Sequence, residues 1–227
     1  MSQFKHGFTM NFKLTDLTHQ IIDIMTVYPG DVKPQVITIR NHNIDGYQES
    51  LLNISSHTGT HIDCPQHFFK DRESTGSMPV AAFFGRAVKI DVGDVGDLIS
   101  KEVLQKNEKN LLNTDFVLFY TGYDRLWCSQ DYFTGYPVLD AEAVEYLLSF
   151  SLKGIGFDTI SADRTISENY PVHRAVLGRN MVIIENLTAL DSLPECNFYF
   201  SCFPLKITNG DGSPVRAIAY IDYIKEV

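Results

Sequence analysis

Short apolar runs punctuated by polar clusters dominate the chain, and most have the length and make-up of strands. Val36–Arg40, Ser50–Ser56, Arg86–Val92, Phe116–Tyr120, Gly154–Phe157, Met181–Glu185, Asn197–Pro204 and Val215–Tyr220 are rich in Val, Ile, Phe and Tyr. Gly, Asn, Asp or Pro bound them, so each predicts a β-strand. Helical periodicity is rarer. Ser100–Lys106 carries one short pattern. Asp140–Leu152 carries the clearest, with Ala143, Val144, Leu147 and Leu148 recurring on one face. Asp140 stands where an N-cap belongs, and Glu142 falls in the first turn. This helix leads directly into Gly154–Phe157, a short αβ connection. The pattern predicts an α/β fold, more β than α, with a mixed sheet flanked by a few helices. No repeat, linker or change of composition divides it, so a single domain over 1–227 is expected.

Composition narrows the function. Hydrophobic residues make up 44% and charged residues 21% of the 227 positions, as in a soluble globular protein with a real core. The net charge of −9, with no basic patch, argues against nucleic acid as partner. No run approaches the roughly 20 apolar residues of a membrane span. Met1–His6 has no apolar h-region, so no secretion signal is expected. Cys64, Cys128, Cys196 and Cys202 lie far apart without CxxC spacing, which favours reduced thiols and a cytoplasmic location.

The densest chemistry is the run His57-Thr58-Gly59-Thr60-His61-Ile62-Asp63-Cys64-Pro65-Gln66-His67. Imidazoles and a carboxylate packed this closely suit a catalytic divalent metal. On a straight strand His57 and His61 would stand about 13 Å apart, too far to share one ion. On a helix they would approach to about 6 Å, but Gly59, Thr60 and Pro65 disfavour a helix. A bent strand or loop is expected, with Gly59 permitting the bend and Pro65 turning His67 toward the metal from another side. His57, His61 and Asp63 then make a three-ligand site with a fourth position for water. His67 is left as general acid or base, since imidazole titrates near neutral pH. A downstream pair, His173 in an expected loop and Glu185 closing an apolar strand, suits a second ion or the far side of the first. Taken alone that pair is a weak signal, because strand-end glutamates are usually solvated.

These residues resemble the cyclase-like metal hydrolases that include bacterial kynurenine formamidases and isatin hydrolases. The family pattern His-x-Gly-Thr-His-x-Asp-x-Pro-x-His is complete here from His57 to His67. Asp16-Leu17-Thr18-His19 with Tyr28-Pro29-Gly30 resembles the family's opening. Gly156–Ser161 resembles its inner strand, and His173, Gly178 and Glu185-Asn186-Leu187 its C-terminal metal segment. The resemblance implies a swivelling β/β/α fold and a homodimer or larger homo-oligomer. It also implies that Asp63 bridges the first metal, on His57 and His61, to a second on His173 and Glu185, with His67 transferring protons. Zinc is the first choice of cofactor and manganese the second, as one or two ions. The expected activity is hydrolysis of a C–N bond in a small amide or lactam, of the N-formylkynurenine-to-kynurenine type in tryptophan catabolism. Tyr28 stands where kynurenine formamidases typically carry a substrate-contacting tryptophan, so the substrate pocket is expected to differ there.

The same residues admit two other readings. The site could open a lactone or act as a cyclase or dehydratase, or it could be a closed structural zinc site in a binding protein. The pair His173/Glu185 argues against the last. Cys64 is expected to be a small buried residue on the face opposite His61 and Asp63. Asp158 and Ser161 lack a Gly-x-Ser-x-Gly elbow, which argues against a serine hydrolase. Asp158 is expected to brace a neighbouring group, Trp127 to pack, and His6, His19 and His42 to be structural or exposed.

Overall fold

The computed structural model describes residues 12–222; His6 and the rest of the Met1–His6 segment lie outside them. The described residues form thirteen strands: β1 Phe12–Asp16, β2 Gln35–Arg40, β3 Glu49–Asn53, β4 His61–Asp63, β5 Phe84–Asp91, β6 Leu98–Ile99, β7 Phe116–Tyr120, β8 Val138–Leu139, β9 Gly154–Phe157, β10 Val182–Glu185, β11 Phe198–Ser201, β12 Gly212–Pro214 and β13 Ile218–Asp222. The α-helices are α1 His42–Asp45, α2 Lys101–Lys106, α3 Glu108–Leu111, α4 Ala141–Leu147 and α5 Pro171–Leu177. None of the described helices is long and apolar enough to cross a membrane.

Nine strands form one sheet in the order β1-β13-β11-β5-β7-β9-β10-β4-β12. Its centre, β5-β7-β9-β10, is parallel, and the outer strands are antiparallel. Side chains alternate between two cores. Val117 and Phe119 of β7 enter one core with α4 and α5, while Phe116 and Leu118 enter the other with β4 and β11. Burial on both faces explains why these strands read as continuous apolar runs. Gly156 of β9 has no room for a side chain, since a Cβ there would lie 2.8 Å from both Leu118 and Leu187.

The α/β, β-rich, mixed-sheet expectation agrees with this architecture. Asp140 caps α4 by accepting the Ala143 N–H at 2.7 Å. The helix stops at Leu147, short of the expected Leu152. Ser149 turns its hydroxyl back onto the Tyr146 carbonyl at 2.6 Å, a local bond that competes with helix continuation. The loop expected at His173 is instead α5, opened by Pro171 at its first position, where a proline costs no hydrogen bond. Strands β2 and β3 form a separate hairpin, every residue of which is exposed.

Candidate metal centre

Strand β4 runs antiparallel to β10 with His61 opposite Glu185, so the strand pairing itself brings an imidazole against a carboxylate. Upstream of β4, Gly59 has φ +64°, the left-handed conformation that lets the chain double back. The bend brings the His57 ring to 5.0 Å from the His61 ring, far closer than a straight strand allows. Downstream, Pro65 opens a 3-10 turn, Pro65–His67, that carries His67 to 4.2 Å from the His57 ring. Cys64 points the other way, fully buried in the second core, and burial together with the Asp63 charge pushes its thiol up to about 12. It is neither ligand nor nucleophile in this arrangement.

His173 arrives on the first turn of α5. Asp163 fixes it there, accepting the backbone N–H of Val172 at 3.1 Å and of His173 at 3.0 Å, and facing the His173 Nδ1 at 2.7 Å. Glu185 is held by the Ala162 N–H, which donates to Oε1 at 2.7 Å. All six sequence-derived residues, His57, His61, Asp63, His67, His173 and Glu185, therefore meet in one place. Tyr28 lines the same cavity, a space of about 360 Å³ walled also by Asp31, Phe68, Ile160 and Tyr170.

The donor set fits a divalent cation. His61 Nδ1 lies 2.9 Å from the Gly59 carbonyl, which can only accept, so the proton sits on Nδ1 and the Nε2 lone pair is bare. That lone pair faces Asp63 at 3.3 Å and Glu185 at 3.5 Å. His173 repeats the pattern, with Nδ1 committed to Asp163 and Nε2 at 3.1 Å from Glu185 and 3.5 Å from Asp63. Lone pairs turned on two buried carboxylates repel one another unless a proton or a cation sits among them, and a divalent cation serves both imidazoles at once. An imidazole fixed from behind by a carbonyl or carboxylate is the usual support of a metal-binding histidine. The mixture of imidazole and carboxylate suits a divalent cation.

The charges tell the same story. Burial favours protonating Asp63, yet His57, His173 and His61 hold it well below the usual carboxylate range. Burial works against charge on His57, yet the Asp63 charge and hydrogen bonds to Asp211 and Asp63 carry it up to about 10. Burial likewise opposes a charged His173, which Asp163, Asp63 and Glu185 nonetheless hold well above the ordinary imidazole range. The cluster has a surplus of negative charge, and His57 and His173 answer it. His57 and His173 share this pull toward the charged form, and a cation at the His173 Nε2 takes the place of its proton. The His57 Nδ1 lies 2.7 Å from Asp63 and its Nε2 2.8 Å from Asp211, so service as a ligand requires His57 to give up a proton.

Asp163 and Asp211 are the residues that sequence reasoning missed. Asp211 precedes β12, which pairs with β4, and its carboxylate spans His57 and His67, the latter at 3.3 Å from Nδ1. Those two hydrogen bonds hold it well below the usual carboxylate range. No spacing rule could have found either residue, since both reach the site through tertiary pairing. Asp158, expected as a brace, accepts the Thr121 hydroxyl at 2.6 Å and the Gly122 N–H at 2.8 Å, and burial raises it to about 7. It secures the turn after β7. Ser161 accepts the Asp163 N–H at 3.3 Å. Trp127 stacks on the half-buried His19 at 4.0 Å, and His42 is exposed on α1.

Comparison with known proteins places this arrangement. The model of the family described as "Putative cyclase" matches residues 15–164, a span that includes the whole His57–His67 motif. The chain belongs to the Cyclase family. This Cyclase chain is 30% identical over 210 residues to a kynurenine formamidase of Erythrobacter litoralis, covering 91% of the chain and 93% of that protein. It is 28% identical over 207 residues to the kynurenine formamidase of Salinibacter ruber, covering 90% and 96%. Among solved structures, isatin hydrolase A from Labrenzia aggregata superposes with a TM-score of 0.83 at 25% identity, covering 93% and 94%. A structure described as a potential metal-dependent hydrolase with cyclase activity superposes with a TM-score of 0.77 at 26% identity, covering 94% and 100%.

Proposed function

We propose that this protein is a metal-dependent hydrolase of the C–N bond in a small aryl amide, in the manner of an arylformamidase converting N-formylkynurenine to kynurenine. The observation that carries the reading is the pair of Nε2 atoms, on His61 and His173, that both face the buried carboxylates of Asp63 and Glu185 in a cavity also lined by His67. The ligands are His57, His61, Asp63, His173 and Glu185, and the cation is zinc, with manganese as the alternative, bound as one or two ions. When bound, it supplies Lewis acidity and water activated at neutral pH.

The chain's own residues supply the rest. Tyr28 offers an aromatic wall for the aryl group, its hydroxyl donating to the Thr165 carbonyl at 3.2 Å so that the ring is held in place. His67 is the acid and base. Its Nδ1 faces Asp211, leaving Nε2 to take a proton from the attacking water and return it to the leaving nitrogen as the C–N bond breaks. The products are the carboxylate and the free arylamine. Isatin-type lactams present the same bond in a ring, and the likeness to isatin hydrolase A supports them as a second substrate class.

The reading includes a single domain over 1–227, a cytoplasmic location, supported by the four free cysteines, and a homodimer or larger homo-oligomer. Support for the oligomer comes from the β2–β3 hairpin, whose opposite faces carry the exposed apolar pairs Val36–Leu52 and Ile37–Leu51. An isolated two-stranded hairpin is marginal in water. Sedimentation of the wild type against an Ile37→Lys/Leu51→Lys variant tests it: the variant should lose the larger species, and a monomeric wild type refutes the oligomer. The function itself is tested by metal content per chain together with turnover of N-formylkynurenine, formanilide and isatin. Bound metal with turnover of any of these is expected. Bound metal with no turnover of all three refutes the C–N hydrolase reading, and failure to take up zinc or manganese refutes the metal centre.

A further inference from the structure

We infer that Asn186 is a positioning residue that sets the tautomer and aim of His61, and through it the affinity of the centre for its cation; the inference rests on the metal-dependent reading above. Asn186 directly follows Glu185 and is almost fully buried, yet it is not itself placed as a ligand. Its amide Nδ2–H donates to the Gly59 carbonyl at 2.9 Å. That carbonyl is the same one that accepts the His61 Nδ1–H at 2.9 Å. Both lone pairs of one oxygen are thus engaged, one fixing the ligand and one fixing the oxygen. The Gly59 oxygen can only accept, so the amide presents its nitrogen forward, and behind it the buried Tyr132 hydroxyl, which also lies 3.2 Å from the Asp158 carbonyl, donates to Oδ1 at 2.9 Å.

The backbone of Asn186 adds two ties, to the segment after β9 and to the residue before His61. Its N–H donates to the Thr159 carbonyl at 3.0 Å, and its carbonyl accepts the Thr60 hydroxyl at 2.6 Å. Asn186 adopts φ +57°, a left-handed conformation that asparagine tolerates better than other non-glycine residues. The side chain must accept on one side, donate on the other and sit in that conformation. Aspartate would set its oxygen against the Gly59 oxygen, and leucine would leave that oxygen held by His61 alone. The relay therefore runs from Tyr132 through Asn186 and Gly59 to His61, and its product is a bare Nε2 pointed at Asp63 and Glu185.

A purely structural Asn186 would alter stability and leave metal affinity alone, and that contrast makes the test. The zinc affinity of the metal-stripped full chain is measured by chelator competition for the wild type, Asn186→Leu, Tyr132→Phe and the double variant, with thermal melts alongside. Removing the support behind a metal-binding histidine typically weakens binding by about 10–100-fold, and Asn186→Leu should fall in that range. Tyr132→Phe should lose less, and the double variant no more than Asn186→Leu, because Tyr132 acts through Asn186. In ¹⁵N spectra of the metal-free chain, His61 should carry its proton on Nδ1 in the wild type and populate both tautomers in Asn186→Leu. A folded Asn186→Leu chain with wild-type zinc affinity overturns the inference. If that variant does not fold, unchanged affinity in Tyr132→Phe overturns it instead. A wild type that takes up no metal overturns the function proposed above, and the inference with it.

Discussion

Asp163 offers the sharpest test of the centre, because one carboxylate serves both a helix and a ligand. Asp163→Asn keeps size and shape but replaces one oxygen by an amide. In the structure one carboxylate oxygen accepts the Val172 N–H, while the other meets the His173 N–H and Nδ1. Either orientation of the asparagine amide sets its NH2 against a group that also donates. With the NH2 toward His173, the ring must turn Nδ1 into an acceptor and move its proton to Nε2, the atom aimed at Glu185 and Asp63. A hydrogen bond to a charged group contributes about 1.5–3 kcal/mol, which corresponds to roughly a 10- to 150-fold loss of metal affinity. With the NH2 toward Val172, His173 keeps its tautomer and α5 loses part of its first-turn support, at a cost of about 1 kcal/mol in stability. Zinc competition and the melting of the metal-free chain separate the two outcomes. A variant with both wild-type affinity and wild-type melting would refute the assignment of Asp163 as the support of His173.

His67→Ala should keep its metal and lose most turnover, about 10²–10⁴-fold as for loss of a general acid–base group; an active variant would sink the role of His67. His61→Ala should lose metal first, and full metal content in that variant would remove His61 from the ligand set. For stability, Phe157→Ala should cost about 3–5 kcal/mol in denaturant unfolding, because the ring is fully buried and stacks on Phe119 at 5.0 Å; a cost below 1 kcal/mol would contradict that packing. For pH, burial lowers His19 to about 4 against a weaker opposing pull from Asp124. A histidine depressed in the folded state contributes stability above its unfolded value, near 6.5, and loses it as pH falls through about 4. His19→Phe, which keeps a ring against Trp127, should therefore gain on the wild type between pH 6.5 and 4; a stability difference independent of pH would contradict this.

Much of the centre was legible because its donors are concentrated. The His57–His67 run declares itself by density, and Gly59 and Pro65 announce the two bends that fold it. The central strands were legible for the same reason, since β7 is a continuous apolar run buried on both faces. What escaped was short or non-local. β4 has three residues and β12 three, too few for periodicity, and each exists only because a neighbour pairs with it. Helix α5 is illegible as a helix, because seven residues starting at a proline show barely two turns of pattern. Asp163, Asn186 and Asp211 carry no sequence signal as supporting residues. Their partners lie 10, 127 and 154 positions away along the chain.

The position of the centre follows from where the sheet changes direction. Strands β5, β7, β9 and β10 all run the same way, and ligand sites in such sheets gather beyond the carboxyl ends of the strands, where the strand order switches. Here the parallel run ends between β10 and β4. Because β4 is antiparallel, its first residue stands opposite the last residue of β10, so His61 meets Glu185 as a matter of register. A slip of one residue would turn His61 and Asp63 into the second core and bring Ile62 into the site. Asn186 stands immediately past that register and ties the two strand ends together through Gly59 and Thr60. The same contacts that stop the sheet from slipping thus aim the ligand. The strand pairing and the metal chemistry therefore have to fail together: a substitution that loosens β4 against β10, such as Ile62→Ala in the second core, should weaken zinc binding without removing any donor. Chelator competition on that variant measures the coupling, and unchanged affinity in a destabilised chain would show that the donors hold their places independently of the sheet.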